Sequence, residues 1–491
     1  MKNYFNQTGT TSEIAMVLFG TIALLPFLLL SFYNHPLGVH EWDWITNRRG
    51  TMDNLSFYQE QKFYYFNASG RFASTWISSL TDNYYSLINF QSFFAINILL
   101  SVLIIFIAVR SFLNIKSFFK SFAISILICS IWISGISSIY DTLYMLTSVH
   151  TYLFGFYSFI LLLVCWKSFM YNTSKQIWYW PWLIVFISVF TIGTNEVSLF
   201  YTVFLNIFLV TYHYKEVKKR SVLSLILIIS ITAAIFSLLA PANFLRESAY
   251  QNDYSFIDLF FIAICSSLFD CMSWIINGHL MLGSIVYLLL IQNISIKNKT
   301  NISWQYFFSS LLIIIFLGHF LIIFATHGSS LAERVVDLMY FHFLMLWFYG
   351  LFLISIQYKS ILNAISSFSF KNELSFIVIF CFFISLMGNG LGIDRNNKTY
   401  DNFISLIKVS SNVGKAWLTL LSGNAGAYDK AMNLQYDEIG SCRNGTCITK
   451  KPDILPIELY FEASDRRNSI KGDPFIGHYF NENIQFVKYI K

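Results

Sequence analysis

The chain has 491 residues, of which 55% are hydrophobic, 19% aromatic and only 12% charged, with a net charge of +6. A soluble domain carries roughly 25% charged residues, so the composition excludes an ordinary soluble protein and makes lipid the main solvent. The small positive excess is spread over short loops, which gives nucleic-acid binding no support.

Apolar runs recur along the whole chain, at about 14–33, 88–109, 121–139, 151–170, 180–193, 197–212 and 221–239, then at about 279–296, 305–325, 338–357 and 373–391. Each approaches the ~20 residues a helix needs to cross ~30 Å of hydrocarbon. The expected fold is an all-α polytopic membrane protein with about 11 transmembrane helices. The first run is too long for the apolar core of a signal peptide and lacks a small-residue cleavage site, so a retained anchor is expected.

Just past that run lies His40-Glu41-Trp42-Asp43-Trp44. In extended or turning backbone, positions i and i+2 point the same way. Glu41 and Asp43 are then expected to aim together into a cleft while Trp42 and Trp44 rest at the headgroup level. The plainer alternative is an aromatic-belt loop with solvated acids. Further along, Arg71 opens an interfacial helix in which Phe72, Trp76 and Leu80 repeat at i, i+4.

Lysine and arginine set the orientation. Arg110, Lys116 and Lys120, then Lys167 and Lys175, then Lys215 to Arg220, mark one side, which Lys297, Lys299, Lys359 and Lys371 continue. Asp141, Glu196, Glu247, Asp253, Glu333 and Asp337 mark the loops between. The amino terminus is expected inside, and the first loop, about 34–87, outside. Residues 256–276 are apolar enough to span, yet a crossing there would reverse every later loop, so a re-entrant or interfacial segment is expected. Residues 1–391 then form the membrane domain and 392–491 an external carboxyl-terminal domain. Within it, Cys442 and Cys447 are close enough to bridge a turn, and an oxidising space permits that disulfide. No second Cys or His pair with zinc-ligand spacing lies nearby, and no metal is expected.

Ionisable groups at span ends are costly and therefore informative. Arg71, Glu196, Arg246, His327, Arg334 and Lys488 all fall on the expected external side. If the bundle closes they converge, the arginines offering forked donors to a phosphate and the carboxylates handling hydroxyls. Taken singly, each also fits a plainer role: basic side chains snorkel to lipid phosphates, and His327 caps a helix.

One long first span, an external loop opening with Gly38-Val39-His40-Glu41-Trp42-Asp43-Trp44, many further spans and an external tail carrying cysteines resemble a known group. The chain resembles the serotype-converting, O-antigen-modifying glucosyltransferases of enteric bacteria and their phages, membrane glycosyltransferases of the GT-C class. The resemblance implies a multi-pass bacterial inner-membrane enzyme with a cytoplasmic amino terminus and a periplasmic tail. It implies transfer of glucose, with inversion, from a polyprenyl-phosphate donor to the O-antigen of lipopolysaccharide, without a cofactor. A donor synthase and a flippase are the implied functional partners. It also implies a base in the first loop, with Glu41 the first choice and Asp43 the second; that the two acids are separated by Trp42, where many members have adjacent acids, leaves open which of them acts. Functional tail residues would map onto Cys442 or Cys447 and Lys488. Trp42 and Trp44 would stack on sugar. A flippase or transporter of lipid-linked saccharides is the main alternative; an O-antigen polymerase or ligase would carry its large loops between middle spans.

Overall fold

The computed structural model describes residues 11–37, 41, 56–81, 87–171, 179–213, 220–247, 254–292, 294, 304–328, 331–358, 372–391, 408–442, 445–450, 452–460 and 484–490. Apolar helices dominate: α1 Thr11–Leu30, α4 Leu87–Leu113, α5 Phe118–Gly135, α6 Phe154–Tyr171, α7 Tyr179–Ile192, α8 Glu196–His213 and α9 Arg220–Leu238. Then follow α11 Phe256–Ile275, α12 Gly278–Ile291, α13 Trp304–Ala325, α14 Glu333–Gln357 and α15 Asn372–Met387. Among the described residues, nine helices are long and apolar enough to cross a membrane, and three shorter apolar helices accompany them. The chain is a polytopic α-helical membrane protein.

Two short helices, α2 Phe57–Asn67 and α3 Phe72–Thr81, lie in the first loop, and α10 Pro241–Glu247 follows α9. The helix expected after Arg71 is α3. Ser56 and Gln59 start α2 with reciprocal side-chain to backbone bonds, which satisfies amides that the first turn leaves unpaired.

The ends of the bundle differ in chemistry. At one end Lys120 pairs with Glu13 at 3.5 Å, and Lys167 donates to the Ser111 carbonyl in the last turn of α4. The other end gathers the acids that follow α5, α7 and the start of α14.

Helix α11 packs against α13 and α14. Phe256, at its start, packs on Phe320 and Phe324 near the end of α13, and Tyr254 lies against Gly328. At its finish Trp274 packs on Tyr340 and Phe343, two to three turns into α14. Directly after it, His279 reaches Ser385 near the end of α15. The length and composition of this 20-residue helix fit a span.

The tail adds α16 Asn412–Leu421, α17 Asn424–Ser441 and four short strands: β1 Asn389–Leu391 antiparallel to β2 Lys408–Ser410, and β3 Gly445–Lys450 parallel to β4 Ile484–Ile490. Its described helices share the bundle's core. Val413, Ala416, Tyr428 and Ile439 are continuous with the apolar cluster that includes α1 and α5. The Asn412 amide donates to the carbonyls of Ile133 and Ile136 at 3.0 and 2.8 Å, and the Trp417 indole to that of Ile22. Cys442 and Cys447 form a disulfide.

Candidate functional site

The site is built where α5 hands over to α6. Instead of a simple loop, the chain makes one π-helical turn at Tyr140–Tyr144 and another at Val149–Leu153. Such wide turns are rare and concentrate at functional sites. Here they are held open by side chains from distant elements.

On one side, α14 clamps the first π turn. Asp337 accepts from the amides of Ser137 and Ser138 at 2.8 and 3.4 Å and from the Thr142 hydroxyl at 2.6 Å. Asp141 accepts from the Arg334 amide at 3.3 Å and from its Nη1 at 3.0 Å. On the other side, the tight turn between α7 and α8 meets the second π turn. The Asn195 side chain accepts from the Ser198 amide, capping α8, and donates to the Thr151 carbonyl at 2.7 Å. Gly155 makes this approach possible, since a Cβ there would lie 2.5 Å from both Asn195 Nδ2 and Thr194 Oγ1. The carbonyl of Gly193 receives the Ala73 and Ser74 amides, which seats the start of α3 and brings Arg71 beside Glu196.

Arg71 grips Glu196 through Nε and Nη2, at 3.1 and 2.8 Å, a forked charge-assisted pair. Burial pulls the Arg71 guanidinium down, but Glu196 and the Tyr152 phenol outweigh it and hold its pKa above the ordinary arginine value. Tyr152, from the second π turn, lies close to two cations. The Arg71 guanidinium is 5.6 Å from its ring centre and that of Arg334 is 5.8 Å away, both within cation–π range. Arg71, Glu196 and Arg334, widely separated in sequence, are therefore brought to one place. The arginine side chains keep 24% and 32% of their surface exposed, so an incoming anion has access to them.

Glu41 has a different setting. It is fully buried. Its Oε2 accepts from the Leu37 amide at 2.8 Å and the Tyr140 hydroxyl at 2.7 Å, and its Oε1 accepts from the Leu146 amide at 3.0 Å. Burial first, and then the Glu41 carboxylate, push the Tyr140 phenol well above the ordinary tyrosine value. The carboxylate thus stitches the first loop to the first π turn. Close by, His35 Nε2 lies 2.9 Å from Asp429 and Nδ1 lies 3.1 Å from the Tyr436 hydroxyl, which fastens α17 to the same loop.

The remaining expected residues are placed less centrally. His327 has left-handed backbone (φ 48°) in the turn that ends α13, and the next amide, of Gly328, returns to the Ile323 carbonyl, a helix-ending arrangement. Arg246 lies on α10; its side chain is outside the described residues. Lys488 is described through its backbone alone, opposite Ile448 in the β3–β4 pair. Trp42, Asp43 and Trp44 also lie outside the described residues. Among the described residues no group of three or more His, Cys, Asp or Glu side chains gathers to hold a metal.

Asp141 and Asp337 figure in the sequence only as markers of sidedness, and Tyr140, Tyr152 and Trp132 carry no signal there. The acids had a readable clue, since carboxylates at span ends are costly unless used. No family model, curated protein or solved structure matches this chain.

Proposed function

We propose that the chain is an inner-membrane glycosyltransferase of the GT-C type that moves glucose from a polyprenyl-phosphate donor to O-antigen on the periplasmic side. The observation that carries this reading is the pair of accessible arginines, Arg71 and Arg334, both held within 6 Å of the Tyr152 ring centre at the end of the bundle where the first loop is fastened. Each is oriented by a carboxylate, and forked guanidinium donors suit a phosphate.

In this reading the donor phosphate lies against the arginines. The acceptor hydroxyl gives its proton to a first-loop carboxylate while its oxygen bonds to the anomeric carbon. The bond from that carbon to the phosphate oxygen breaks on the opposite face, and its electron pair leaves with the phosphate. Glu41, with both oxygens already committed to three donors, is the anchor of the loop, and Asp43 is the base. Eleven helices cross, with α11 re-entrant or interfacial at the periplasmic end. The amino terminus is cytoplasmic and the tail periplasmic, and a donor synthase and flippase supply the substrate.

The test is transfer of glucose to a defined lipopolysaccharide, scored by mass spectrometry in a host that makes the donor. Asp43→Asn is expected to abolish transfer with normal membrane expression. Unchanged transfer in that variant would remove Asp43 from the mechanism.

One observation favours the transporter alternative. Asp270 on α11 and His319 on α13 are paired at 2.8 Å within the bundle, His319 being fully buried, and buried ionisable pairs of this kind recur in proton relays. Uptake of a lipid-linked saccharide into vesicles, abolished by Asp270→Asn, would favour that reading over transfer.

A further inference from the structure

Beside Arg334, two residues that line a small space each carry a buried donor without a partner. Trp132 Nε1 and Ser148 Oγ have no hydrogen-bond partner among the described residues, and each residue is only 1% exposed. Both line one cavity of about 10 Å³, which Thr142, Tyr152, Arg334 and Phe341 help to enclose. A space of that size takes one oxygen-sized atom. Stacking on Phe341, at 4.3 Å between ring centres, fixes the Trp132 indole. Ser148 immediately precedes the second π turn, and that turn carries Tyr152.

The chemistry of the lining selects the occupant. An indole N–H and a guanidinium can only donate. The Thr142 hydroxyl already gives its proton to Asp337. What is missing is therefore an acceptor, and the neighbouring Arg334 favours one with negative charge. Leaving two buried donors unmade costs free energy, which suits a site completed by its ligand.

Building on the transferase reading, we infer that Trp132 Nε1, Ser148 Oγ and the Arg334 guanidinium form a seat for one anionic oxygen of a phosphate ester carried on an isoprenoid lipid. The other phosphate oxygens remain outside, between Arg71 and Arg334, and the Tyr152 ring forms part of the wall between the two positions. The seat fixes the rotation of the phosphate about its ester bond.

The experiment uses the full chain in lipid nanodiscs, with farnesyl phosphate as probe and farnesol and inorganic phosphate as controls. Binding is read by calorimetry, and the ligand-free melting temperature is recorded alongside. Farnesyl phosphate is expected to bind, and Trp132→Phe and Ser148→Ala each to bind roughly 10-fold more weakly, as for one lost bond to a charged group. Ser148→Ala is expected to leave the ligand-free melting temperature unchanged or raised, because it deletes an unpartnered hydroxyl.

Wild-type affinity in Ser148→Ala, together with a lowered melting temperature, would overturn the seat and indicate a structural water instead. Inorganic phosphate binding as tightly as farnesyl phosphate, with the same loss in both variants, would overturn the lipid assignment and support the oxygen seat. Farnesyl phosphate binding that depends on both residues, in a protein that transfers no sugar, supports the seat while faulting the transferase reading.

Discussion

Glu41→Gln separates an anchor from a base. The carboxylate meets two backbone amides, of Leu37 and Leu146, on different oxygens, with the Tyr140 hydroxyl on the Leu37 side. A carboxamide has one oxygen and one NH2 group. Whichever way it is turned, its NH2 faces a backbone N–H that cannot rotate away. The better orientation keeps the oxygen toward Leu37 and Tyr140 and leaves the Leu146 amide unpaired, at a cost of about 1–3 kcal/mol. The two surviving bonds change from charge-assisted to neutral, which removes about 1–2 kcal/mol more. Relief of the buried charge offsets part of this, so the net loss is about 2–3 kcal/mol.

The assay is a thermal ramp of the detergent-solubilised protein read by a thiol-reactive dye. Glu41→Gln is expected to lower the midpoint by several degrees. Tyr140→Phe, which deletes one bond and leaves both amides paired, is expected to cost only about 1 kcal/mol. Glu41→Ala, which strands all three donors, is expected to be worse than either. Sugar transfer by Glu41→Gln should fall only as far as the folded fraction does. An unchanged midpoint with transfer abolished would refute the reasoning, because it would place Glu41 within reach of the acceptor and unnecessary to the loop.

Arg334→Lys keeps the charge but loses the planar fork, and donor KM is expected to rise about 10-fold, equivalent to ~1.4 kcal/mol; steady-state kinetics with a short-chain donor would show it. Burial holds Tyr140 and Tyr144 in the neutral form, with Glu41 adding to the effect at Tyr140 and Glu458 at Tyr144. Their raised folded pKa values make the stability they contribute complete below about pH 10, the value for an unfolded tyrosine, and lost as pH rises above it. Alkaline unfolding should therefore begin near that pH in the wild type and begin later in Tyr140→Phe, as followed by ultraviolet absorbance. The Cys442–Cys447 bridge closes a short loop worth only ~2 kcal/mol on chain entropy. Replacing both with serine is thus expected to lower the midpoint by a few degrees and leave the α17 helix folded, as measured by circular dichroism.

The sequence made the spans legible because a helix in lipid must be apolar for a fixed length, and it made the short Phe72–Thr81 helix legible because its apolar residues repeat every four. It also carried the turn joining Cys442 to Cys447, a local feature. The residues around Tyr152 were not legible for two physical reasons. A π turn takes an extra residue per turn, so every later side chain moves off the face that a 3.6-residue period assigns to it. Tyr140 and Tyr152 sit on two such turns in quick succession, which hides their direction from any pattern of hydrophobicity. The second reason is distance along the chain. Asp337 finds Thr142, and Asp429 finds His35, only after the helices between them have packed. The same holds for the tail, which composition marks as a separate soluble piece. Asn412 and Trp417 fill carbonyls on α5 and α1, an exchange of backbone bonds that hydropathy does not register.

The pairing of the arginines has a consequence for how they would meet an anion. Arg71 spends Nε and Nη2 on Glu196, one edge of its fork, and Arg334 spends Nη1 on Asp141. A guanidinium has five N–H groups, so each arginine keeps donors directed elsewhere. The carboxylates therefore orient the cations without consuming them, and they lower the entropy that an approaching phosphate would otherwise have to remove from two long side chains. They also cancel most of the local charge while no ligand is bound, which lets two arginines lie within 6 Å of a single tyrosine ring. An anion arriving between them gains both free edges and meets Tyr152 as the group it must displace or stack beside. On the transferase reading, a phosphate would suit that arrangement, since its several acceptor oxygens around one tetrahedral centre could meet donors from both arginines.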